Sequence, residues 1–308
     1  TVLDMQLREP LRALEALRGV FVASERVGRE EFGRASEAWI AGARLAAAGW
    51  YEALDRSAVP AFEAAVRAEG LPQFRVFERS EGGAQAPREP VIAMRYIEPV
   101  AGNASALGLN LQSIPAARAA VDQSRRSRAS VASAAFALTQ IPDGEDRTGV
   151  VVYRAVEFGE ITERAQANGG LRGVLFVTLR PGPLLATLAA ELPGYLRLCL
   201  LDTDEAAPLR RLAGPAGCEQ AAAGELEHQR DIEFAGRRWQ LRVSALPGNV
   251  PESARANAWL FSLVALLGAA MLGALLLVVT GRARRIEAAV HDRTAELQAE
   301  IHERARAQ

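Results

Sequence analysis

Three observations predict an α+β chain tethered to a membrane. Leucines recur at helical spacing through the first 21 residues, short strand-like runs alternate with turn clusters after residue 70, and an uncharged apolar run extends from Ala258 to Thr280. Helices followed by antiparallel strands give a layered arrangement with the helices on one face. At about 1.5 Å per residue, a helix over the apolar run spans roughly 35 Å, enough to cross a hydrocarbon core of about 30 Å. Buried helices of soluble domains rarely run so far without one charged or amide side chain.

Leu3, Leu7, Leu11, Leu14, Leu17 and Phe21 fall on one stripe, so residues 2 to 23 read as a long stalk helix that Pro10 starts or kinks. Ser24 is a candidate cap for the next helix, SERVGREEFGRASEAWIAG. A further helix from Val59 to Glu69 ends at Gly70, where glycine relieves left-handed strain. FRVFER, VIAMRYIEPV, VVVYRAVEF and RGVLFVTL then read as strands between the turn clusters SEGGAQAPREP and PDGEDRTG. Among them lies one helix, PAARAAVDQSRRS, with Pro115 in its first turn.

A second set follows the helix PLLATLAAELPG. It comprises YLRLCLLD and DIEFAGRRWQLRVSAL, where a turn at Ala235 and Gly236 parts two strands and Trp239, Leu241 and Val243 share one face. The residues before the apolar run exceed one typical domain. The predicted organisation is stalk helices 1–44, a larger module 45–180, a smaller membrane-proximal module 181–252, a membrane helix 257–281 and a coiled coil 282–308.

Trp259 suits one membrane interface, and Arg282, Arg284 and Arg285 crowd the other. The positive-inside rule makes the arginine end cytoplasmic, with residues 1–256 outside an inner (plasma) membrane. The chain opens on Thr1 without an apolar signal, so an upstream membrane helix serving for export is expected. EIHERARAQ stops mid-helix, which predicts further chain downstream. Val290, Thr294, Leu297 and Ile301 form a 4-3-4 seam, and a lone seam helix is marginal in water, so a homodimer is expected. HDRTAEL around His291 superficially resembles the phosphoacceptor box of sensor kinases, but its spacing is off by one residue; the string reads as coiled coil.

Thirty-six basic and 37 acidic residues leave a net charge of −1, which suggests no nucleic-acid surface. The three histidines, His228, His291 and His302, lack partners at metal-ligand spacing, and there is neither a phosphate-binding glycine loop nor a nucleophile elbow. No catalytic residue, metal site or cofactor is expected. Cys199 and Cys218 face an oxidising compartment by this topology, and both a disulfide and an independent buried thiol remain open.

Residues 95–140 carry the most informative pattern: Tyr96, Glu98, Pro99, Asn103, Leu107, Gly108, Ser113, Arg118 and Gln140 in order. That order resembles the CHASE family of extracytoplasmic sensor domains, found in cytokinin receptors and in bacterial sensor kinases and cyclases. VASERVGREEF, RAEGLPQFRVFER, GVVVYRAVEF and RRWQL extend the resemblance along most of the chain. It implies a stalk helix and two tandem PAS-like modules, the distal one holding a small molecule.

Asn110 stands where the family carries the acid that contacts adenine in the cytokinin receptors, so a charge-assisted contact to a purine is lost while a donor and acceptor remain. Asn110 and Gln140 are the leading pocket candidates, because a polar group in a small cavity needs a partner. Tyr96, Phe136, Ala132 and Leu138 complete the expected pocket, and the small residues at Ala132, Ala134 and Ala135 imply either a roomier pocket or a divergent core. The resemblance implies an output module beyond Gln308, a histidine kinase or else a diguanylate cyclase. The competing expectation is a ligand-free domain that senses a partner protein or the envelope.

Overall fold

The leucine stripe at the start of the chain is buried along one side of α1 (Val2–Ala23): Leu3, Leu7, Leu14, Leu17 and Phe21 are each at most 4% exposed. Pro10 lies inside this helix without ending it. The computed structural model describes residues 2–42, 45–79, 89–141, 146–160, 162–220, 226–245 and 252–306. They fall into two units, Thr1–Pro247 and Gly248–Gln308.

In the first unit α2 (Arg29–Gly42) follows α1. Its first turn is closed by Glu31, whose carboxylate accepts the Gly28 N–H at 2.8 Å. Ser24, expected as the cap, instead lies just past α1, with its N–H donating to Val20 O at 3.1 Å. Arg172 closes this end of α1, donating to the carbonyls of Phe21, Ser24 and Glu25.

The larger sheet contains β1 (Ala47–Leu54), β2 (Val91–Glu98), β3 (Val131–Ala132), β4 (Phe136–Ala137), β5 (Thr148–Glu157) and β6 (Leu171–Leu179). Its order is β2-β1-β6-β5-β3 with β4 also on β5, and every pairing is antiparallel. β1 was not expected from the sequence. AAGWYEAL is buried on both sides and so lacks the alternation that reveals a half-exposed strand. FRVFER, expected as a strand, contributes only a single bridge from Phe77 to Leu109. The helices α3 (Val59–Ala68), α4 (Pro115–Ser127) and α5 (Glu163–Ala167) complete this part.

Alternation along the strands gives the sheet two different faces. Trp50, Tyr96, Val152, Leu175 and Val177 pack against α1 and α2. Tyr51, Met94, Val151, Tyr153 and Phe176 pack with Ala117, Ala120 and Val121 of α4 on the other side. Two glycines make room for the large rings. A Cβ on Gly173 would sit 2.3 Å from the Trp50 ring, and one on Gly49 would sit 2.4 Å from the Phe176 ring.

After α6 (Pro181–Ala190) comes a smaller antiparallel sheet of β7 (Arg197–Asp202), β8 (Arg211–Ala213), β9 (Leu226–Phe234) and β10 (Arg237–Ala245), in the order β8-β7-β10-β9. The β9–β10 hairpin turns at Ala235 and Gly236, both at positive φ, as a two-residue turn matched to strand twist requires. Trp239 is 1% exposed, and Leu241 and Val243 pack on the same cluster. That cluster also takes in Leu198, Leu200 and Phe234, so one apolar core runs from α1 into the smaller sheet. The Ala132 N–H reaches across to Ala235 O at 2.9 Å. Cys199 and Cys218 form a disulfide. Asp202 is buried against Arg237, 2.6 Å from Nη2; burial raises its pKa and the guanidinium pulls the other way.

The second unit is one helix, α7 (Glu252–Arg306), of 55 residues. Its segment from Trp259 to His291 is long and apolar enough to cross a membrane. Trp259, Phe261, Leu266, Met271 and Leu277 are more than two-thirds exposed, an apolar surface suited to lipid and not to water. Of the seam residues, the side chains of Leu297 and Ile301 lie outside the described residues.

Candidate functional site

Beneath the face of the larger sheet that α1 and α2 leave uncovered, the strands and the segment after β4 border a small cavity. β1 contributes Tyr51, β5 contributes Tyr153, and β6 contributes Phe176 and Thr178; Phe136, Leu138 and Gln140 close it from the segment at and after β4. Tyr51 and Phe176 ring centroids are 5.0 Å apart, and Tyr153 stands 6.5 Å from each of them. The cavity volume is about 20 Å³, room for one water.

The chemistry of this lining is specific. Tyr51 and Tyr153 are 3% and 1% exposed. Burial holds both phenols well above their ordinary pKa, with repulsion from Tyr51 adding to the shift at Tyr153, and no hydrogen bond from the described residues acts on either. No lining residue is charged. Both phenols therefore stay neutral beside a largely apolar cavity. An unmet hydroxyl in such surroundings costs about 1–3 kcal/mol, which a bound acceptor would recover.

Three of the six residues singled out from the sequence meet here: Phe136, Leu138 and Gln140. Leu138 sits over Gly149, where a Cβ would come within 2.4 Å of its Cγ. The other three are placed elsewhere. Asn110 is 2% exposed, with Oδ1 accepting from Ile92 N and Gln112 N at 3.2 Å and Nδ2 donating to Glu78 at 3.2 Å. Its polar atoms are engaged in pinning the loop before α4 to β2. Tyr96 lies on the helix-covered face, donating its hydroxyl to Val27 O at 3.0 Å and packing on Phe32 at 5.8 Å. Ala132 is buried in the α1-side cluster.

Tyr51, Tyr153, Phe176 and Thr178 were missed as lining residues. Their signal was present in the strand phase: WYEAL, VVYRA and LFVTL each carry an aromatic ring at mid-strand. Only the pairing of β1 with β6 and of β6 with β5 sets those rings on one face.

The larger sheet is covered by α1 and α2 on one face and by α4 on the other, where the strands also border the cavity. The CHASE domain family model matches residues 25–212, more than half of the chain, and the protein belongs to that family. Membership supports an extracytoplasmic sensing role. Among solved structures, the chain is similar to an extracellular ligand binding receptor from Desulfohalobium retbaense DSM5692, at 11% identity and TM-score 0.46, over 79% of this chain and 38% of that one. It is also similar to the periplasmic sensory domain of the Campylobacter jejuni chemoreceptor Tlp1, at 12% identity and TM-score 0.45, over 81% of this chain and 92% of that one. No curated protein matches the chain.

Proposed function

We propose that this protein is the extracytoplasmic sensor and membrane segment of a signal-transduction receptor. A small, uncharged molecule occupies the cavity under Tyr51 and Tyr153, in the distal of two PAS-like modules spanning 45–180 and 181–252. Residues 1–256 lie outside the cytoplasm, α7 crosses the inner membrane, and residues 282–308 form a homodimeric coiled coil leading to a histidine kinase or a diguanylate cyclase. The observation that carries this reading is the pair of buried phenols without a hydrogen bond from the described residues, beside a largely apolar cavity. Binding requires displacement of the segment at 136–141, because the cavity volume is about 20 Å³. The ligand must favour one helix arrangement over the other for a signal to pass.

The same small volume favours a second reading, a ligand-free domain that senses a partner protein or the envelope. Mass spectrometry of compounds released from the denatured full chain separates the two. The first reading expects a compound that is depleted when Ala106, 2% exposed at the cavity wall, is replaced by Phe. A chain that releases nothing, and whose unfolding temperature no member of a broad metabolite panel raises, supports the second.

A further inference from the structure

The segment carrying Leu138 and Gln140 has a second side. Away from the tyrosine cavity it borders an open groove of about 650 Å³ between α1 and α6, within the range of drug-sized ligand sites. Met5 of α1, Leu179 at the end of β6 and Leu184 of α6 give it apolar walls.

Three carboxamides on these walls have unmet hydrogen-bonding capacity. Asn103, 7% exposed, donates from Nδ2 to Pro99 O at 2.9 Å and to Ala46 O at 3.5 Å, which fixes the amide and leaves Oδ1 without a bond among the described residues. The Oε1 of Gln6 is buried with no partner. Gln140 makes no hydrogen bond among the described residues.

Two charged side chains line the groove, Glu9 and Arg180, and they are opposite in sign. Glu9 is 3.1 Å from Arg12. Arg180 donates to the Asp146 carbonyl at 3.1 Å, and the Asp146 carboxylate lies by Gly182 in the first turn of α6. A charged ligand would therefore meet no net counter-charge, whereas a neutral N–H donor meets two acceptor oxygens and an amide able to do both.

We infer that this groove is a second small-molecule site, separate from the tyrosine cavity, which takes a neutral amphipathic amide with its apolar body against Met5, Leu179 and Leu184 and its N–H head toward Asn103, Gln6 and Gln140. Because α1 forms one wall, its occupant bridges the stalk helix to α6.

The test is isothermal titration of the full chain in lipid nanodiscs, with empty discs as blank. The probes are 4-phenylbutanamide, 4-phenylbutanoate and 4-phenylbutylammonium, matched in their apolar part. The inference expects saturable heat at one site per chain with the amide, and binding at least tenfold weaker with the anion and the cation. Gln6→Leu, at a residue that lines the groove and not the tyrosine cavity, should weaken the amide about fivefold, the scale of one hydrogen bond. Thr187→Trp should abolish binding by filling the groove; if that variant lacks the parent circular dichroism spectrum, Met5→Trp at an exposed position does the same from the α1 wall. Equal binding of a charged probe, no saturable heat with the amide, or amide affinity unchanged in both Gln6→Leu and a groove-filling variant would overturn it.

Discussion

On the helix-covered face of the larger sheet, Tyr96 gives its hydroxyl to Val27 O at 3.0 Å, and Trp50 stacks on Phe21 at a centroid distance of 4.1 Å. On the opposite face, Tyr51, one residue along β1 from Trp50, and Tyr153 on β5 hold hydroxyls that no described residue meets. The strands therefore carry two finishes. On one face a tyrosine hydroxyl is hydrogen-bonded beside α1 and α2; on the other, two phenols make no hydrogen bond with a described residue. Arg154, beside Tyr153 on β5, pairs with Glu15 of α1 at 3.0 Å, so the two faces are joined by single residues of one strand.

The contrast can be broken most severely at Trp50. Trp50→Ala leaves a void between β1 and Phe21, and a loss of about 3–5 kcal/mol is expected, read from the denaturant midpoint of the full chain. A variant that unfolds at the parent's midpoint would mean that this face does not carry the stability assigned to it. Next comes the covalent tie in the smaller sheet. Closing a loop of 19 residues between Cys199 and Cys218 is worth about 3 kcal/mol in the chain-entropy account. Reduction, or Cys199→Ser with Cys218→Ser, should lower the unfolding free energy by that amount and the midpoint with it; an unchanged midpoint would remove the disulfide from the stability argument.

Alkaline pH sharpens the comparison, and its sign follows from burial. The folded chain holds Tyr51 and Tyr153 above the ordinary value of 10.0, so both states keep neutral phenols below that pH. Above it the unfolded chain ionises first, and stability falls as pH rises, by about 1.4 kcal/mol per buried tyrosine at pH 11. Tyr96 is raised too, by burial and against the pull of Arg95. The double variant Tyr51→Phe, Tyr153→Phe should therefore flatten most, though not all, of the decline in thermal midpoint between pH 10 and 11. An unflattened decline would locate the titration elsewhere.

The smallest effects discriminate best between the faces. Tyr96→Phe deletes a bond made in the folded state and should cost about 1 kcal/mol. Tyr51→Phe deletes a hydroxyl without a bond from the described residues, so it should leave stability unchanged or raise it by up to about 1 kcal/mol. Opposite signs in the two midpoints support the two-face description, and equal losses would abolish it.

Legibility from the sequence followed the range of the interaction. The stripe from Leu3 to Phe21, the turn at Ala235 and Gly236, the phase of Trp239 and Val243, and the apolar length of α7 were readable, because each is a local periodicity or a local backbone demand. β1 was not, since burial on both sides erases alternation. Of the residues expected at a pocket, Phe136, Leu138 and Gln140 line the small cavity, while Asn110 is engaged elsewhere. The same residue type that could meet a ligand instead caps a turn and holds β2, because Ile92 N and Gln112 N lie within its reach.

By itself, then, the order of residues determined where the chain is helical, where it turns, and which stretch suits lipid, since those outcomes depend on neighbours a few positions away. Tertiary structure decided that β1 pairs with both β2 and β6, that Cys199 meets Cys218, and that Tyr51, Tyr153 and Phe176 converge while Tyr96 faces the helices. The physical reason is that a strand sends alternate side chains to opposite faces, and only long-range pairing settles which neighbours each face will find.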